Sequence, residues 1–167
     1  KASKVAATKY ERISALMLYS QIMFEEKKYD ESKKYSLLIF LHGAGERGTN
    51  YEMLDNITQV GFFEQVLADN DLKDNFILLA PQCPNDMQWV NYPWLDGTYN
   101  FVLTEQSEPA KFAADLIFDK IMTEYNIDNS KVFITGLSMG GYGTWDMLAR
   151  YPNKFAAAVT VCGGVDE

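Results

Sequence analysis

The 167-residue chain has one histidine, His42, and two cysteines, Cys83 and Cys162. One imidazole and two distant thiols give none of the ligand spacings of a zinc site, so no metal is expected. Both cysteines follow strand-like runs that belong to separate places in a sheet, which argues against a disulfide between them. Positive charge is also short: 15 Lys and Arg stand against 23 Asp and Glu, for a net charge of −8. So acidic a chain is repelled by nucleic acid and by anionic membrane surfaces, and neither is an expected partner. No apolar run approaches the roughly eighteen residues of a membrane span. No signal peptide stands at Lys1, but a secreted protein whose signal has been removed reads the same way. A secreted or periplasmic setting is favoured over a cytoplasmic one.

What is present suits a globular fold. The chain is 47% hydrophobic and 14% aromatic, and its length suits one domain with a real core. Residues 13–24 alternate as a leading strand does. Tyr35–Leu41 and Phe76–Ala80 are short continuous apolar runs, the mark of strands buried on both faces of a parallel sheet. A short helix is expected over Phe62–Ala68. A longer one runs from Glu108 to Tyr125, with Ser107 as its cap and Pro109 in its first turn. Further strands are expected at Lys131–Thr135 and Phe155–Val161, the latter buried. Apolar strands alternating with helices imply an α/β fold, its mostly parallel sheet covered by helices on both faces after an antiparallel lead-in.

The chemistry gathers at Gly136-Leu137-Ser138-Met139-Gly140. A strand-like run precedes this stretch, and a helix-like run follows it to Tyr151, where Pro152 forbids continuation. A serine on a sharp strand-to-helix turn is held in a strained conformation. Side chains two residues before or after it would collide, which explains Gly136 and Gly140. The same turn exposes the Ser138 hydroxyl and aims the Met139 backbone N–H at the same space, as a nucleophile and an oxyanion donor require. A second donor is expected on the loop His42-Gly43-Ala44-Gly45, with Ala44 as first choice and Gly43 as alternative. His42 and Gly45 would support that loop. Neither G-x-G-x-x-G nor G-x-x-x-x-G-K-[ST] is present, so no phosphate-bearing cofactor is expected. An aromatic loop from Gln82 to about Thr104 offers Trp89, Tyr92 and Trp94, with Tyr99, as walls for a substrate or as packing onto the core.

Several blocks together resemble a known superfamily. They are Leu41-His42-Gly43-Ala44-Gly45-Glu46-Arg47-Gly48, Ala80-Pro81-Gln82-Cys83-Pro84 with Trp89, Ile134 through Trp145, and Arg150-Tyr151-Pro152. The chain looks like an α/β-hydrolase esterase of the group that includes feruloyl and acetyl-xylan esterases (carbohydrate esterase family one), predicted peptidases and polyhydroxybutyrate-depolymerase-like enzymes. The blocks span about residues 35–165; Ser36 stands where these proteins often have proline. The resemblance implies a serine carboxylic-ester hydrolase with no cofactor. Its acyl-enzyme would form on Ser138, and its substrate would be an acyl or feruloyl ester of plant polysaccharide. A serine peptidase of the same fold remains the alternative chemistry.

The resemblance also implies a triad acid and a histidine after Ser138. Only six residues follow Val161, and no histidine is among them. Asp166 and Glu167 come one strand too early to be the acid. His42 is expected to support the oxyanion loop, not to serve as base. The expectation is therefore a single α/β-hydrolase domain, incomplete at its C-terminus and inactive alone. The competing readings are an enzyme completed by a second chain, or a non-catalytic carbohydrate-binding or scaffold homologue. Residues 155–161 would then present a strand edge open to another chain or another copy.

Overall fold

The structure is a computed structural model that describes residues 29–49, 56–57, 60–93 and 105–164. The leading strand expected over 13–24, Trp94, Tyr99 and the two terminal carboxylates lie outside these residues. Four strands form one sheet: β1 (Tyr35–Leu41), β2 (Phe76–Leu79), β3 (Ile127–Leu137) and β4 (Ala157–Val161). Their order is β2-β1-β3-β4, and every pairing is parallel.

β1 lies inside the sheet, and its sequence shows why it can. Tyr35, Leu37, Ile39 and Leu41 face one core, while Phe40 and Leu38 face the other. On the first face they meet α3 (Glu108–Asp115), which continues as a π-helical stretch, Leu116–Ile121, and ends in a last turn, Met122–Glu124. Ala113, Ala114, Leu116, Ile117 and Ile121 supply its contact face. Ser107 caps the helix by accepting the Ala110 N–H at 3.3 Å. α4 (Met139–Arg150) lies on the same side through Met139 and Met147. On the second face α1 (Gly61–Ala68) brings Phe62 and Phe63 against Phe40, one ring stacked at 4.6 Å and one edge-on at 5.2 Å. Each fully buried leucine or isoleucine contributes about 1.5–3 kcal/mol, and truncating one to alanine costs about 2–5 kcal/mol.

The elements depart from expectation in three places. A second helix, α2 (Asn70–Asn75), follows α1 at once, because the Asp69 side chain accepts the N–H groups of Asp71 and Leu72 at 2.9 and 3.0 Å. β3 is longer than Lys131–Thr135, since Ile127 also pairs with Tyr35 across an irregularity in the register. β4 is not buried. It is the outermost strand of the described sheet, and Val159 and Val161 are 62% and 43% exposed.

Parallel pairing sends the carboxyl ends of all four strands to one side of the sheet. The loop from His42, the loop from Ala80, Ser138, and the turn Cys162-Gly163-Gly164 therefore converge there.

Candidate active site

Ser138 joins β3 to α4 with φ 53° and ψ −116°. A non-glycine residue in this region is strained, so the surroundings must hold it. Its N–H donates to the Val161 carbonyl at 2.7 Å, and its own carbonyl accepts from Gly141 and Tyr142 at 2.8 and 3.2 Å. The two flanking glycines are sterically required. A Cβ on Gly136 would overlap the Gly140 carbonyl, and one on Gly140 would overlap the Leu41 carbonyl. Thr144, fully buried, donates its hydroxyl to the Gly140 carbonyl at 2.9 Å and secures the turn from inside. Met139 is the first residue of α4, and the first N–H groups of a helix have no acceptor within it.

The loop after β1 comes directly against the serine. A Cβ on Gly43 would lie 3.7 Å from Ser138 Cβ and 3.4 Å from the Leu137 carbonyl, ordinary contact distances that put this loop beside Ser138. Ala44–Glu46 then make one 3₁₀ turn. A methyl on Gly45 would meet nothing within 4 Å, so space does not demand glycine there.

His42 is fully buried beneath this loop. Nδ1 lies 2.7 Å from the Gly43 carbonyl, and Nε2 accepts the Cys83 N–H at 2.9 Å. Those partners fix the tautomer with the proton on Nδ1. Burial pushes the pKa down to about 4, with the Arg47 charge acting in the same direction against the Gly43 hydrogen bond. Both nitrogens are occupied, so the ring has no lone pair to offer Ser138. The described cysteines are both free; burial pushes the Cys83 thiol up to about 12.

Trp89 requires a correction as a substrate wall. It is fully buried, its indole N–H donates to the His42 carbonyl at 3.0 Å, and a Cβ on Gly143 would meet its Cβ at 2.5 Å. The tryptophan ties the loop after β1 to α4 and, fully buried, has no surface for a ligand. Tyr92 is half-buried; burial first, then the charges of Asp146 and Tyr142, raise its phenol to about 12.

Two bracing residues escaped the sequence reading. Arg47 donates Nε to the Ala44 carbonyl at 2.9 Å and a terminal nitrogen to the Met87 carbonyl at 3.2 Å. Gln82 donates to the Glu46 carbonyl at 2.6 Å. Both stand inside the blocks that carry the family resemblance, and that was their only signal.

Residues 21–166 match the family model described as "Putative esterase". The chain belongs to that esterase family. Over 134 residues the chain is 44% identical to acetylxylan esterase A of Emericella nidulans, covering 65% of this chain and 44% of that protein. Over 110 residues it is 28% identical to a poly(3-hydroxyoctanoate) depolymerase of Pseudomonas fluorescens, covering 65% of this chain and 38% of that protein. The crystal structure of a thermostable esterase superimposes with a TM-score of 0.65 at 38% identity, over 84% of this chain and 36% of that one. The chain thus spans less than half the length of each of these relatives. Its parallel sheet with helices on both faces is the α/β-hydrolase fold.

Proposed function

We propose that this esterase chain carries the nucleophile and oxyanion half of a serine carboxylic-ester hydrolase. Ser138 Oγ attacks the ester carbonyl and the alcohol leaves, giving an acyl–Ser138 that water then hydrolyses. The N–H groups of Met139 and Ala44, with Gly43 as the alternative to Ala44, hold the oxyanion between these steps. One observation carries this reading: the strained φ of Ser138, held where Gly43 comes against its side chain. The base and its acid come from outside these residues, from a longer chain or from a second one pairing with the outward edge of β4. The likeness to an acetylxylan esterase supports acyl esters of plant polysaccharide as the substrate, with feruloyl esters the close variant and a secreted or periplasmic setting to match.

The test compares aryl-acetate hydrolysis by the full-length protein and by its Ser138→Ala variant. A loss of several orders of magnitude is expected; equal rates end the proposal. The doubly occupied ring of His42 favours a second reading, a carbohydrate-binding homologue without turnover. Polysaccharide binding with no hydrolysis by the full-length protein would select it.

A further inference from the structure

One carboxylate oxygen stands beside Ser138 without a partner. Glu46 closes the 3₁₀ turn after β1. Its Oε2 is shut off from solvent, and among the described residues no hydrogen-bond donor reaches it. A buried acceptor left in this state costs stability, so its reason lies outside the packing of the fold.

Gly43 shows where that oxygen sits. A Cβ built there would stand 2.8 Å from Glu46 Oε2 and 3.7 Å from Ser138 Cβ. The carboxylate and the nucleophile are thus near neighbours across one glycine. Backbone conformation does not ask for glycine at this position, because φ is −75° and ψ is −179°. The closest approach is that of the carboxylate, so the missing side chain gives Glu46 its room.

The turn that presents the charge is pinned at both ends. Gln82 donates to the Glu46 carbonyl at 2.6 Å, and Arg47 Nε donates to the Ala44 carbonyl at 2.9 Å. The adjacent cation does not neutralise the oxygen by direct contact. Arg47 turns its terminal nitrogen to the Met87 carbonyl at 3.2 Å, not to Glu46 Oε2.

An acyl group on Ser138 would lie beside this charge. The oxyanion of the reaction meets N–H dipoles, which offset the repulsion. A second negative charge, carried on the acyl group itself, is not offset by those dipoles. It would face a carboxylate in a wall closed to water, where charges are screened little. A neutral acyl group escapes this repulsion.

We propose that Glu46 is a specificity residue that admits uncharged acyl groups to Ser138 and rejects those bearing a carboxylate. The proposal rests on the ester-hydrolase reading above and names the residue that sorts acyl groups by charge.

The test follows methanol release by the full-length protein from methyl succinamate and monomethyl succinate, matched in shape and different in charge. The kcat/KM ratio should favour the amide about fivefold or more. Glu46→Gln removes the charge at nearly constant shape and should abolish most of that preference. Using the ratio cancels any general loss of rate in the variant. Glu46→Asp keeps the charge and should keep most of the preference; Glu46→Ser takes the place of Glu46→Gln if the latter does not fold. Equal rates for the two esters in the unsubstituted protein overturn the proposal, as does an unchanged ratio in the neutral variant. Equal loss of preference in Glu46→Asp points to shape and overturns it too. Fluorophosphonate labelling of Ser138 without turnover of either ester ends this proposal alone, whereas neither labelling nor turnover ends the esterase reading with it.

Discussion

Nε2 of His42 accepts the backbone N–H of Cys83 at 2.9 Å, which ties the loop after β1 to the loop after β2. The sole histidine of the sequence is thereby a structural bolt beneath the loop after β1. Under the proposed ester chemistry, the proton of Ser138 would pass to a group beyond the described residues.

This bolt has a pH signature. The pKa of His42 falls from 6.5 to about 4 in the folded chain, so between those values the unfolded chain binds more protons. Its contribution to stability is therefore complete above pH 6.5 and is lost as pH falls towards 4. The shift corresponds to about 3 kcal/mol. Denaturant melts across this window should show stability falling with acid, and His42→Gln should flatten that fall. A parallel decline in the variant would show that other groups set the slope.

Glycines around the nucleophile should divide sharply by the space at each. Gly140→Ala places a methyl into the Leu41 carbonyl and is expected to cost about 3 kcal/mol or more, enough to compromise folding. Gly45→Ala meets nothing within 4 Å and should stay within about 0.5 kcal/mol. Thermal melts of the two variants check this contrast; similar losses would refute it.

The bridge made by Arg47 is open to a conservative substitution. Lysine keeps the charge but has no planar fork to reach the Ala44 and Met87 carbonyls together. In the full-length protein, Arg47→Lys is expected to lower kcat for an aryl acetate about tenfold through a loosened oxyanion loop. An unchanged kcat would remove Arg47 from loop positioning.

The edge of β4 offers a fourth test. Val159 and Val161 stand out from an outermost strand, the arrangement that invites strand pairing. Residues 1–167 alone should self-associate or melt at low temperature, and Val159→Lys should reduce association seen by light scattering. A monomeric chain with a sharp cooperative melt would contradict this.

Much of this architecture was legible in the sequence because the demands on it are local. Gly136 and Gly140 are needed by the turn itself, and β1 advertises two-sided burial through seven consecutive residues with no charge. Long-range partners were not legible. Trp89 sits in a loop whose composition suits a sugar platform equally well, and its burial, its bond to the His42 carbonyl and the approach of Gly143 from α4 show that it is core. The apolar run at β4 looks like that of a central strand, yet burial depends on neighbours that sequence periodicity does not report. The roles of Arg47 and Gln82 lie in bonds to backbone carbonyls, which leave no side-chain pattern to read.

Peptide mapping of the full-length protein after reaction with a fluorophosphonate tests the nucleophile most directly. A single adduct on the peptide bearing Ser138, absent in Ser138→Ala, is the expected result. Ester hydrolysis that continues without that adduct, or an adduct on another residue, would contradict the assignment of Ser138.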